Sequence, residues 1–112
     1  SIPYSTSVES ILKRCQPQVL VDFSVAEACL SAARLATQHR VNVVIGTTGL
    51  TPQNVQDIKG WVLAEGVGGI VAPNFALGAV LLIHLAKVVA RFEDFKAAEI
   101  VEMHHDAWRK PR

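Results

Sequence analysis

Cysteine, methionine and aromatic residues are scarce in this chain, and charge of either sign is modest. Only two cysteines, Cys15 and Cys29, occur among 112 residues. No C-x-x-C pair and no Cys/His cluster accompanies them, which excludes a disulfide framework and a cysteine-rich zinc site and points to reduced thiols. Eleven Lys plus Arg stand against ten Asp plus Glu, a formal net charge of +1. That balance leaves no electrostatic footprint for wrapping nucleic acid or coating an anionic membrane. Long apolar runs are absent as well: the stretch Phe75 to Ile83 meets His84 and then Lys87, whereas a membrane-spanning helix needs about 20 largely apolar residues. The first residues, SIPYSTSVES, lack the basic start and apolar stretch of about 7 to 15 residues of a secretory signal, so a cytoplasmic protein is expected.

What the chain does have is apolar material. Half of its residues are hydrophobic, enough for a core and too many for a disordered or collagen-like chain. Its length fits one domain or a piece of a larger one. Short β-branched runs alternate with longer amphipathic stretches, the pattern of parallel strands joined by helical crossovers. Gln18 to Phe23 (QVLVDF) reads as a strand, Ser24 as the cap of a helix over Ala26 to His39, and Cys29, Ala32, Ala33 and Ala36 as that helix's packing side. Val41 to Ile45 is the next strand; Thr51 and Pro52 open a helix through about Ala64. Gly66, Gly68 and Gly69 break that helix, and Gly68 to Ala72 reads as a third strand closed by Pro73.

Beyond Pro73 the texture changes. Phe75 to Phe92 reads as one long helix, apolar nearly all round in its first half and therefore expected to be buried on several sides. His84, Lys87 and Arg91 form a polar stripe on its second half. Ala98 to Met103 (AEIVEM) then shows partial alternation of a strand, and the chain ends in HHDAWRKPR. The expected fold is α/β: a Rossmann-type parallel sheet over residues 1–73, and over residues 74–112 the start of a mixed α+β domain. Open parallel sheets bind ligands outside the carboxyl ends of their strands. Three such ends are legible: Asp22 to Ser24, Gly46 to Gly49 (GTTG) and Ala72 to Phe75 (APNF).

Taken together, VDFS, VVIGTTGLT, IVAPNFALGAVLL and EIVEMHH, in this order and at these separations, resemble the dihydrodipicolinate reductase family (4-hydroxy-tetrahydrodipicolinate reductase) of lysine and diaminopimelate biosynthesis. The resemblance runs from about Val19 to His105. It implies a cytoplasmic homotetrameric oxidoreductase with a Rossmann-type domain for NADPH or NADH and a second domain for a cyclic dicarboxylate substrate and for tetramerisation. The glycine-rich first unit, where a pyrophosphate meets a helix N-terminus, is expected to precede the segments seen here, as is the residue that separates NADH from NADPH.

By the same resemblance Gly46, Thr47 and Thr48 line the nicotinamide and its ribose, and Ala72, Pro73, Asn74 and Phe75 form the opposite wall. Thr48 is also expected to reach substrate. His104 takes the family's general acid–base role and His105 a substrate carboxylate; a histidine suits a proton step because its pKa lies near 6.5. The family pattern H-H-x-x-K puts its lysine at the position of Trp108, so either a two-residue shift brings Lys110 into that role or the lysine is lacking. The family's S-G-T turn is not reached before Arg112. A non-catalytic fragment or relic, keeping only the fold and an association surface, is therefore the alternative to the enzyme.

Read without the family, the motifs have plainer meanings. GTTG is more often a tight turn with hydroxyl caps than a cofactor loop. Strand alternation places His104 and His105 on opposite faces, so both serve one site only if the strand ends there. A metal site on His104, His105 and Asp106 fails on spacing, because adjacent side chains do not easily fill two corners of one tetrahedron. His39 and His84 read as surface residues, and the three cations near the C-terminus as a solvated loop.

Overall fold

The computed structural model describes residues 1–92, 99 and 101. Two units are distinguished, Ser1–Leu77 and Gly78–Arg112. The first contains, in order, α1 (Val8–Cys15), β1 (Val19–Asp22), α2 (Ala26–Gln38), β2 (Asn42–Ile45), α3 (Pro52–Glu65) and β3 (Gly69–Val71). All three strands are parallel in the order β1-β2-β3. Because that order advances in one direction, right-handed crossovers put α2 and α3 on the same face of the sheet. The expected α/β sheet is thus the observed one.

Register decides which side chains meet those helices. Leu20 pairs with Val43, and Val43 with Gly69, while Val21 pairs with Val44, and Val44 with Ile70. Neighbouring partners point to the same face. Val43 and Ile45 are buried beneath the helices, whereas Val19, Val21 and Ile70 are exposed on the other side. The core joins them to Leu12 of α1, Cys29, Ala33 and Ala36 of α2, Val41 and Ile58 of α3. Small residues on α2 let it lie close to the sheet, and Gly69 does the same for α3: a Cβ there would come within 2.8 Å of Val62. Arg34 of α2 sits over the Trp61 ring of α3 at 5.8 Å from its centroid.

Helix boundaries follow local chemistry. Thr51 caps α3 in a reciprocal box with Asn54, Pro52 occupies its first turn, and Gly66 ends it in the left-handed conformation. Helix α1 was not anticipated from the sequence. Its signals are short but complete: Ser7 accepts from the Ser10 amide, Glu9 sits in the first turn, and Lys13 and Arg14 sit in the last. The Lys13–Glu9 ion pair, at 2.6 Å, is exposed and contributes little.

Two expectations need correction. Ser24 does not cap α2; Val25 occupies that position and makes no side-chain capping bond. Ser24 is captured instead by Asp22, two residues earlier, whose Oδ1 accepts both its amide (3.0 Å) and its hydroxyl (2.8 Å). The helix after Pro73 begins later and ends earlier than expected, as α4 over Leu77–Val89. Asn74 accepts from the Ala76 amide at 2.8 Å just before it, a local turn that delays the helix. None of the residues of α4 is buried. Leu77 and Leu82 are 82% and 67% exposed, so the burial its composition demands is not provided by the described residues. The expected strand over residues 98–103 falls largely outside them.

The fully buried Ala33 offers no room for a larger side chain. We expect Ala33→Leu to destabilise the fold by about 1–3 kcal/mol, while Ala64→Leu on exposed α3 surface changes stability by no more than about 0.5 kcal/mol. Urea unfolding of both variants checks this.

Candidate functional site

The three strand ends identified from the sequence stand side by side. The Gly46 amide donates to the Asp22 carbonyl at 2.8 Å, and the Ala72 amide to the Ile45 carbonyl at 2.9 Å. The parallel ladder therefore continues one step past each strand and carries the loops Asp22 to Ser24, Gly46 to Gly49 and Ala72 to Phe75 into register. Phe23 and Phe75 close the row from opposite ends, with ring centroids 5.6 Å apart and planes tilted by 57°. Phe23 also lies over the α-carbon of Gly46, where a Cβ would come to 2.1 Å from its ring. A side chain at position 46 would therefore have to displace the Phe23 ring, which packs on the glycine as it stands.

Asp22 is the polar centre of this group. Its Oδ1 accepts the Thr47 hydroxyl at 2.5 Å in addition to the two Ser24 donors. Burial pushes the Asp22 carboxyl up, but hydrogen bonds from Thr47, from the Ser24 amide and hydroxyl and from the Cys29 thiol outweigh it, and the net pKa is lowered. Cys29 is fully buried. Burial chiefly raises its thiol pKa; the Thr47 hydroxyl pulls it down, while the Asp22 charge and the thiol's hydrogen bond to it push it up. The thiol is therefore held neutral, and a nucleophilic role does not fit it.

The residues expected at the site separate by orientation. Thr47 is buried at 3% exposure with its hydroxyl committed to Asp22, whereas Thr48 beside it is exposed. Gly46 is buried and Ala72 half-buried, while Pro73, Asn74 and Phe75 are exposed. All seven belong to the first unit. His104, His105, Trp108 and Lys110 lie outside the described residues. Sequence reasoning marked Asp22 to Ser24 as a strand end but did not count Asp22 and Phe23 among the residues that build the site. An acid and an aromatic immediately after a buried strand were the available signal.

Among the described residues no group of three His, Cys, Asp or Glu side chains is placed to hold a metal, and no helix is long and apolar enough to cross a membrane. An open concavity of about 790 Å³ is lined by Ser1 to Tyr4, Arg14 and Cys15. It shares no residue with the three loops and gathers no comparable set of polar groups.

Residues 1–75 match the family model described as dihydrodipicolinate reductase, N-terminus. The chain belongs to the dihydrodipicolinate reductase family. It is 49% identical over 106 residues to a 4-hydroxy-tetrahydrodipicolinate reductase of Dehalococcoides mccartyi, covering 95% of this chain and 40% of that protein. A reductase of the same name from Moorella thermoacetica is 46% identical over 96 residues, covering 86% of this chain and 35% of the other. Among solved structures, a dipicolinate-bound dihydrodipicolinate reductase from Paenisporosarcina sp. TG-14 superposes with a TM-score of 0.68 at 33% identity, covering 82% of this chain and 37% of that one. The chain thus spans about 40% or less of the length of these curated relatives. In the dihydrodipicolinate reductase family the N-terminal domain is the one that binds NAD(P)H.

Two outcomes follow from the charge and burial at this site. Asp22 has a lowered folded pKa, so its contribution to stability is present above the ordinary carboxylate value of about 3.9 and is lost as pH falls through the folded value. Urea unfolding between about pH 5 and about pH 2 is expected to show this acid loss, and Asp22→Asn to flatten it. A thiol reagent should label exposed Cys15 rapidly in the native protein, and Cys29 only on unfolding; rapid labelling of both would contradict the buried placement.

Proposed function

We propose that this chain contributes the nicotinamide end of an NAD(P)H site, and the beginning of a substrate site, to an enzyme that reduces 4-hydroxy-tetrahydrodipicolinate to tetrahydrodipicolinate in lysine and diaminopimelate biosynthesis. The observation that carries this reading is the alignment of three loops at the carboxyl ends of a parallel sheet, where such sheets take their ligands, in a chain of the reductase family. Residues 1–73 then form part of the dinucleotide-binding domain, and residues 74–112 open the domain for substrate binding and subunit association.

The residues present fit the nicotinamide end of the cofactor. Thr48 offers an exposed hydroxyl, Asn74 an exposed amide, and Phe75, 51% exposed, a ring face. Gly46 and Thr47 supply backbone on one side, and Ala72 and Pro73 on the other. When bound, NAD(P)H would supply a hydride to the conjugated C=C–C=N system that the substrate presents once its 4-hydroxyl has left as water. The chain's own task is then to deliver a proton to the neighbouring carbon, and His104 is assigned to it because imidazole holds both protonation forms near neutral pH. His105 is assigned to a substrate carboxylate, and Thr48 also reaches toward the substrate. Lys110 neutralises that carboxylate if the loop is shifted past Trp108. The exposed apolar surface of α4 supports association of copies, a homotetramer by family likeness, in the cytoplasm.

The test is NAD(P)H oxidation by the full-length protein on freshly generated substrate; no turnover at any enzyme concentration would falsify the reading. For the proton step, His104→Gln should lower kcat by roughly 10²–10⁴-fold while the Kd for NAD(P)H, measured by fluorescence titration, stays within about twofold. An unchanged kcat would remove His104 from that role.

A further inference from the structure

We propose that Asp22 is a positioning residue of this site: by taking the Thr47 hydroxyl inward it fixes the Gly46–Thr48 turn and leaves Thr48 as the hydroxyl the loop offers outward. The inference rests on the cofactor reading of the three loops and adds a residue to it. It starts from an asymmetry. Thr47 and Thr48 are chemically identical neighbours at the end of β2, yet Thr47 is 3% exposed and Thr48 is exposed. Consecutive side chains leaving a strand point opposite ways, so whichever threonine is drawn inward determines which one faces out.

Alternation from the buried Val43 and Ile45 turns Thr47 inward, and the structure shows what holds it there. One carboxylate oxygen, Asp22 Oδ1, accepts the Thr47 hydroxyl at 2.5 Å, the Ser24 hydroxyl at 2.8 Å and the Ser24 amide at 3.0 Å. An ionised oxygen can take three donors because its charge strengthens each bond. Asp22 also holds the same loop through its backbone, since its carbonyl accepts the Gly46 amide at 2.8 Å. The residue thus grips the turn twice, once on each side of the Gly46–Thr47 peptide. If the carboxylate were absent, a nearly buried threonine hydroxyl would lose its partner, a cost that favours turning it out into the place of Thr48.

Among the described residues, the titratable group that faces this carboxyl is the Cys29 thiol of α2. Burial raises the thiol's pKa, so it stays neutral beside the carboxylate and does not compete with it for charge. Phe23, the next residue, lies over Gly46.

The experiment uses the full-length protein and two readouts. The first is the Kd for NAD(P)H by fluorescence titration in Asp22→Asn, Thr47→Val, Thr47→Ser and the Asp22→Asn/Thr47→Val double variant. The second is amide hydrogen exchange at Gly46 and Thr48, with Ile58 in the core as the reference. Asp22→Asn and Thr47→Val should each weaken NAD(P)H binding by about tenfold or more. The double variant should be no weaker than the poorer single one, because both act through one bond, and Thr47→Ser should recover most of the loss. Exchange at Gly46 and Thr48 should rise while Ile58 stays protected. Unchanged affinity and exchange overturn the proposal, as does an equal rise at Ile58, which assigns Asp22 a role in global stability only. Should the unsubstituted protein bind no NAD(P)H while the exchange pattern appears, the cofactor reading falls and the hold of Asp22 on the loop stands.

Discussion

The close seat of α2 on the sheet is the constraint from which the rest of the first unit follows. Cys29, Ala33 and Ala36 are fully buried, and they meet Val43 and Ile45 of the central strand. Only small side chains allow a helix so near, and only a strand with its branched residues facing the helix fills the space that remains. Helices α1 and α3 then pack against α2, and β1 and β3 flank β2. A larger residue on that face of α2 would lift the helix and with it the start of α2, next to which Asp22 and Ser24 are tied together.

That tie links packing to chemistry. Asp22 stands at the end of a strand, so its backbone is held by the sheet while its carboxylate is free to gather donors from the β2 loop and from the segment leading into α2. Burial alone would favour a neutral acid; the donors reverse the sign and keep the charge. The result is a polar knot beneath the loops, with the aromatic pair Phe23 and Phe75 above it. Hydrogen-bonded groups thus lie below and exposed groups above, the arrangement in which loops on a packed scaffold commonly carry function.

Much of this was legible in the chain. The three strands, the crossovers, the capping of α3 by Thr51 and Pro52 and the packing face of α2 all follow from local pattern, because burial repeats with the period of each element. The three loops were legible for the same reason: a parallel sheet must end its strands on one edge. Helix α1 was missed because eight residues carry too few turns for the apolar period to stand out. Ser24 was misread because a serine before a helix satisfies two rules at once, cap and Asx-type turn, and the aspartate two residues earlier decided between them. The roles proposed for His104, His105 and Lys110 rest on family resemblance, not on periodicity.

The sequence by itself determined the fold class, the order of the three strands and of the two helices between them, and the edge on which the strand-end loops gather, since these depend on residue types and spacing along one chain. It also carried the family, through four short segments in a fixed order. Only the tertiary structure decided how the loops are tied together: which donors Asp22 gathers, that the Phe23 ring packs on Gly46, and that one acid joins two strand ends. These are contacts between residues as far apart as Asp22 and Thr47. Their geometry is set by strand register, and register is a property of two strands lying together that neither strand's sequence states alone.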